Sequence, residues 1–165
     1  MKKSKLLLVL IFFCCSFLFK AQNKSQTDIW SGNYAVYSVE DDKTVLDTLI
    51  IKKAKDVKPE DIASRFEFDL KRWTVISKKD NGKDSKVIRR FIFNPEDKDN
   101  EYEQFGWTKL YQEEKISCID GGHFFICQTK PNTTVDFQKE GTFFTKTGFF
   151  GIWLHFGLVE LKKLN

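Results

Sequence analysis

Short stretches of alternating apolar and polar residues recur along most of the chain, separated by turn signals. After Trp30, the side chains of Tyr34 and Val36 would share one face of an extended segment, which predicts a strand. Similar stretches follow at spacings of about 8–12 residues, a pattern typical of a β-sandwich or β-barrel. These further strands are predicted at 45–51, 73–77, 86–93, 105–111, 116–120, 124–129, 135–138, 142–145, 149–156 and 158–161.

Turn signals indicate how the strands are connected. Asp80-Asn81-Gly82 separates the strands predicted at 73–77 and 86–93, and it is a strong hairpin signal. Residues 94–103 contain Asn-Pro and five acidic residues, so they are expected to form an exposed loop.

The segment 56–73 fits two structures. Its apolar residues have a helical spacing, but Phe66, Phe68 and Leu70 also alternate as they would in a strand. We expect a short helix over 59–66, followed by an extended segment. The predicted fold class is therefore mainly β: a single antiparallel β-barrel or sandwich with one short helix.

The first 21 residues have the pattern of a secretory signal peptide. Three lysines precede an apolar run of 14 residues from Leu6 to Phe19, whereas a transmembrane helix needs about 20. This arrangement predicts a signal peptide cleaved after Ala21. The alternatives are lipidation at Cys14 or Cys15 and an uncleaved anchor.

The chain is accordingly divided into a signal peptide, 1–21, and a single β-rich domain, 22–165. We expect the mature protein to be exported to the periplasm or the cell exterior. No stable membrane span is expected after signal cleavage.

Signal cleavage also changes the charge of the chain. The whole sequence has 27 basic and 23 acidic residues, a formal net charge of +4. Residues 1–21 contain four lysines and no acidic residue, so the mature chain has 23 of each and a formal charge of zero. We expect no nucleic-acid partner, because such binding depends on excess positive charge.

Two cysteines, Cys118 and Cys127, remain after cleavage, and an exported protein favours a disulfide between them. A two-residue turn at Gly122-His123 fits a type II′ hairpin. Counting outward from that turn places the cysteines opposite each other at a non-hydrogen-bonded pair, where antiparallel strands come closest. The alternatives are a turn at Asp120-Gly121, which leaves the cysteines unpaired, and two free thiols.

Two adjacent arginines, Arg89 and Arg90, lie within the otherwise mostly apolar strand predicted at 86–93. Successive side chains of a strand point to opposite faces, so one of the arginines must lie among apolar neighbours. A guanidinium in such a place requires an anion, either a protein carboxylate or a ligand. We expect an internal salt bridge and retain both arginines as candidate ligand-binding residues.

The sequence contains no recognisable catalytic motif. The mature chain has two histidines, His123 and His155, and no cluster with metal-ligand spacing. Neither a nucleophile elbow nor a phosphate-binding loop is present. We expect a non-enzymatic protein with no catalytic residue, no bound metal and no cofactor.

Aromatic residues are abundant in the mature chain, which has 13 Phe, 4 Trp and 4 Tyr. Most should belong to a core, but the dense group that includes Trp153 and Phe156 is a candidate site for an apolar ligand. The expected function is a binding protein that holds a small apolar or amphipathic ligand in an aromatic-lined β-barrel. The alternative is a protein-interaction module with a filled core, such as an inhibitor, an immunity factor or an envelope-complex subunit, whose partner is a protein.

Gly32-Asn33-Tyr34, shortly after Trp30, resembles the Gly-x-Trp motif that opens lipocalin-like (calycin) barrels, with tyrosine in place of tryptophan. The resemblance implies an eight-stranded up-and-down barrel that holds an apolar ligand. The late arginine of that family has no clear counterpart here, where Lys162 and Lys163 stand. The resemblance therefore assigns no functional residue.

Overall fold

The computed structural model describes residues 28–55, 69–79, 86–94, 96, 100–138, 141–154 and 156–164. The strands are β1 (Gly32–Ser38), β2 (Val45–Lys53), β3 (Arg72–Ser77), β4 (Lys86–Arg90), β5 (Ser117–Asp120), β6 (Phe124–Gln128), β7 (Thr133–Asp136), β8 (Thr142–Thr145), β9 (Phe149–Trp153) and β10 (Gly157–Leu164). The helices are α1 (Glu101–Gln104) and α2 (Thr108–Gln112). The signal peptide 1–21, the helix predicted over 59–66 and the Asp80-Asn81-Gly82 turn lie outside the described residues.

Eight of the strands close into an antiparallel barrel, which decides between the two predicted architectures. Strands β1 to β6 follow one another around the barrel, and β9 and β10 complete it. Closure is made by β10 on β1, from Asn33 opposite Leu164 to Ser38 opposite Val159. β7 and β8 form a separate two-stranded sheet inserted between β6 and β9. The end of the barrel at which β1 begins is its lower end, and the opposite end is its upper end.

Side chains that point into the barrel form an inner core. Its buried members are Trp30, Tyr34, Val36, Leu49, Ile51, Trp73, Val75, Ile88, Ile119, Phe124, Ile126, Val159 and Leu161. Alternation across each strand brings every second residue to the interior, and these positions are mostly aliphatic or aromatic. Near the lower end, Trp30 and Trp73 meet edge to face, with ring centroids 6.4 Å apart. The barrel interior is thus occupied by large buried side chains, whose removal from water stabilises the fold.

A second apolar cluster, the outer core, lies on the outside of the barrel. Its buried members are Phe91, Tyr102, Trp107, Ile116, Cys118, Cys127, Val135, Phe143 and Phe150. The barrel strands contribute Cys118, Cys127 and Phe150, and the two helices and the β7–β8 hairpin cover them. The protein therefore has two cores that share one barrel wall.

Two predictions for residues 94–111 were wrong. The predicted exposed loop contains α1, whose Tyr102 is buried, and the strand predicted at 105–111 contains α2. Gly106 reverses the chain between the two helices at a φ of 72°, a backbone conformation that glycine adopts without steric cost. Trp107, Leu110 and Tyr111 then pack into the outer core at helical spacing. The i, i+3, i+4 spacing of these three residues indicates the helix correctly, whereas their apparent alternation indicated a strand.

The predicted register of the β5–β6 hairpin is confirmed. Cys118 lies opposite Cys127 and Ile119 opposite Ile126. Gly122 occupies the first position of the turn with a φ of 84°, so the alternative turn at Asp120-Gly121 is excluded. Cys118 and Cys127 are disulfide-bonded, with their Cα atoms 4.1 Å apart.

Candidate functional site

An open cleft of about 600 Å³ lies on the outside of the barrel, between the β9–β10 wall, the tip of the β7–β8 hairpin and the end of α1. Small-molecule sites typically have volumes of roughly 300–1,000 Å³. Ile152 and Leu158 form the floor, where they pair across β9 and β10. Phe105, Phe137 and Phe143 form the walls. Apolar atoms therefore make up somewhat more than half of the surface that faces the cleft.

The aromatic walls are supported from behind by the outer core. Phe105 stacks on Trp107 with ring centroids 4.8 Å apart, and Phe137 meets the same indole edge to face at 5.0 Å. Phe143 packs against Phe150 at 5.6 Å. Because Trp107 and Phe150 are fully buried, the rings that line the cleft are backed by well-packed side chains.

Hydrogen bonds attach both ends of the β7–β8 hairpin to the rest of the protein. At the end of β7, the indole Nε1 of Trp107 donates to the carbonyl of Asp136 at 2.7 Å. At the end of β8, Glu160 Oε1 accepts from the hydroxyl of Thr145 at 3.0 Å, and just beyond the strand it accepts from both the backbone N and the hydroxyl of Thr147 at 2.7 Å. These bonds hold the hairpin, and with it one wall of the cleft, in place over the barrel.

Three uncharged polar side chains, those of Gln104, Gln138 and Thr142, also line the cleft. Within the part of the chain that the structure describes, their amides and hydroxyl make no hydrogen bond. Gln138 has a φ of 56°, in the left-handed region that costs a non-glycine residue about 1 kcal/mol or more. Its backbone N–H donates to Asp136 Oδ1 at 2.8 Å, and its side chain lies against Gly106.

Both sequence-predicted arginines bind protein carboxylates. On the outer face of β4, Arg89 donates from Nη1 to Glu101 at 2.9 Å and from Nη2 to Asp120 at 2.8 Å. Burial by itself would lower the pKa of Arg89, but the hydrogen bonds and charge of Glu101, together with Asp120, raise it above the ordinary value. Arg90 points toward the interior and pairs through Nε with Asp69 at 2.5 Å. The expected internal salt bridge is therefore present at both positions.

Trp153 and Phe156, the other two candidate residues, lie at the upper end of the barrel and not in the cleft. Trp153 faces inward and stacks on Phe124 with ring centroids 4.9 Å apart. Phe156 lies in the β9–β10 turn, and the ammonium of Lys79 is 4.9 Å from the centre of its ring. β3 is three strands away from β10 around the barrel, so this contact crosses the upper mouth.

Other groups with reactive chemistry form no cluster in the described ranges. His123 is exposed in the β5–β6 turn, and His155 lies outside those ranges. Among the described residues, no group of three or more histidine, cysteine, aspartate or glutamate side chains is placed to hold a metal ion. None of the described helices is long and apolar enough to cross a membrane.

The residues of the cleft were not singled out from the sequence. The strands predicted at 135–138 and 142–145 did indicate the hairpin that carries Phe137 and Phe143. The alternation of buried Phe143 with half-exposed Phe144 shows that β8 has an apolar face directed at a partner. No local signal indicates that this partner is the outside of the barrel.

In comparisons with known proteins, no protein family, no curated protein and no solved structure matches the chain.

Proposed function

We propose that this protein is a non-enzymatic binding protein that holds a small apolar or amphipathic ligand in the outer cleft. The observation that carries the proposal is a cleft of about 600 Å³ with an aliphatic floor and three phenylalanine walls. A mostly apolar concave surface with a few polar groups is typical of small-molecule sites. The walls are braced by Trp107 and Phe150, so a ligand would meet a largely pre-formed surface.

The proposal includes export to the periplasm or the cell exterior. It is supported by the signal-peptide pattern of residues 1–21 and by the Cys118–Cys127 disulfide, since disulfides persist in oxidising compartments. The order of the barrel strands agrees with the one that the lipocalin-like resemblance implies. A relationship to lipocalin-like barrels is therefore part of this proposal. The proposed ligand site differs from the one that the resemblance implies, because the cleft lies outside the barrel rather than within it.

A neutral apolar fluorophore, N-phenyl-1-naphthylamine, tests the proposal on the mature, disulfide-bonded chain. Its fluorescence should rise on titration with the protein and saturate at one site. Thr142→Trp places an indole in the cleft from an exposed position on β8 and should abolish the signal. Thr134→Trp is the matched control, because Thr134 is exposed on the neighbouring strand and does not line the cleft.

Saturable binding that is lost in Thr142→Trp and kept in Thr134→Trp would support the cleft. Equal binding to both variants would place the site elsewhere, and no binding to the wild-type chain would reject the function. Circular dichroism and the unfolding midpoint establish that both variants are folded.

A protein-interaction module is the second candidate function. It is favoured by the filled interior of the barrel, where Tyr34, Ile126 and Leu161 are fully buried. It predicts that the wild-type chain shows neither fluorophore binding nor a thermal shift with small apolar compounds. The same titration therefore separates the two candidates.

A further inference from the structure

The polar groups of the cleft restrict the chemistry of its ligand. Among the described residues that line it are two glutamine amides and one hydroxyl, and no lysine, arginine, aspartate or glutamate. An ionised group that leaves water for such a surface loses hydration without gaining a partner of opposite charge. The described lining of the cleft therefore offers no opposite charge to a ligand's carboxylate, phosphate or ammonium group.

Two described charged residues near the cleft already have partners within the protein. The Asp136 carboxylate is exposed and accepts the backbone N–H of Gln138 at 2.8 Å. Glu101, at the start of α1, is paired with Arg89. Lys139 and Glu140, at the tip of the hairpin, lie outside the described residues.

The two glutamines suit a neutral polar group. A side-chain amide provides two N–H donors and a carbonyl acceptor, so it complements an amide or a hydroxyl group. Both glutamines are exposed, and in the described part of the chain neither side-chain amide is hydrogen-bonded to the protein, so both are accessible to a ligand. The Gln138 side chain lies against Gly106 at the cleft edge.

We infer that the ligand is an uncharged amphipathic molecule, with an apolar body between the phenylalanine walls and an amide or hydroxyl group that hydrogen-bonds to Gln104 and Gln138. This inference rests on the proposed function, because it names the ligand class of the same cleft. It goes beyond a general affinity for apolar compounds, because it requires the cleft to prefer a ligand with a neutral polar group over one with a charged group.

Three ligands of equal chain length test that choice: decanamide, decanoate and decylammonium, each used to displace N-phenyl-1-naphthylamine at neutral pH and below its micellar concentration. Decanamide should displace the fluorophore at concentrations at least about tenfold lower than either ion. The double variant Gln104→Leu/Gln138→Leu should still bind the fluorophore but lose most of its preference for decanamide.

Gln112→Leu is the matched control, because Gln112 is exposed on α2 and does not line the cleft. It should keep the preference of the wild-type chain. If the double variant unfolds, Gln104→Leu alone removes the amide that is exposed on α1 and should reduce the preference.

Normal fluorophore binding combined with equal or better displacement by decanoate or decylammonium would overturn this inference while leaving the proposed function intact. An undiminished decanamide preference in the double variant would also overturn it. Failure of the wild-type chain to bind the fluorophore would reject the proposed function and this inference together.

Discussion

The side chain of Gln138 lies directly against the backbone of Gly106, so that a methyl group on Gly106 would overlap the Gln138 amide. The contact joins the tip of the β7–β8 hairpin to the turn between the two helices. Both residues have positive φ, 56° for Gln138 and 72° for Gly106. The position of one wall of the cleft therefore depends on two residues in contact that both have positive φ, a backbone conformation that few non-glycine residues adopt.

Gly106→Ala should lower the free energy of unfolding by about 1 kcal/mol, chiefly because a φ of 72° is unfavourable for alanine. The overlap with Gln138 should add little, because that side chain is exposed and can move aside. Combining the substitution with Gln138→Gly should therefore recover only a small part of the loss. Urea unfolding of the two single variants and the double variant measures the coupling between the positions. Additive effects would show that the contact carries no energy.

Removal of the disulfide should destabilise the domain without changing its fold. Cys118→Ala/Cys127→Ala should cost about 2 kcal/mol, near the lower part of the usual range because the closed loop is short. The measurement is urea unfolding of the variant beside the oxidised and the reduced wild-type chain. Thiol titration of the denatured, unreduced mature chain should detect no free thiol, and two reactive thiols would contradict the bond.

Glu160→Ala should release the end of the hairpin that Glu160 holds. The variant removes three hydrogen bonds to Thr145 and Thr147 and should cost about 2 kcal/mol. Amide hydrogen exchange should accelerate in β8 and in residues 145–148 more than in the barrel strands. Glu40→Ala is the control, because Glu40 is exposed, and equal effects in both variants would rule out the anchoring role.

Asp28 should contribute stability that is lost in acid. Burial alone would raise the pKa of Asp28, but hydrogen bonds from Ser31, Trp73 and the backbone outweigh it and hold the pKa below its ordinary value of 3.8. A carboxyl group with a lowered pKa stabilises the folded state above that ordinary value, and the contribution disappears as the pH falls through the folded-state pKa.

Asp28→Asn should therefore be less stable than the wild-type chain at neutral pH, and the difference should shrink below about pH 4. Unfolding followed by tryptophan fluorescence at a series of pH values measures it, since Trp73 Nε1 donates to Asp28 at 3.0 Å. A difference that stays constant down to strongly acidic pH would contradict the lowered pKa.

Much of the barrel could be predicted from the sequence because strand pairing in hairpins is local. The register of Cys118 and Cys127 follows from counting outward from one turn, and β3 and β6 match the strands predicted at 73–77 and 124–129 to within one residue at each end. The prediction failed at 105–111, where Gly106 and the helical spacing of Trp107, Leu110 and Tyr111 outweigh an apparent alternation. The sequence predicted an internal salt bridge for the arginines, which the structure shows, but it did not predict the cleft.

By itself, the sequence determined the strand-rich class, the pairing of the two cysteines and the need of one of the two arginines, Arg89 or Arg90, for an anion, because each depends on neighbours within a few residues. Only the tertiary structure decided that the sheet closes as a barrel, since closure pairs Asn33 with Leu164 from opposite ends of the domain. It also decided that the β7–β8 hairpin folds onto the barrel's outer wall. That position depends on the packing of Trp107 against Phe137 and on its hydrogen bond to Asp136, residues that are distant in the sequence, and it creates the cleft.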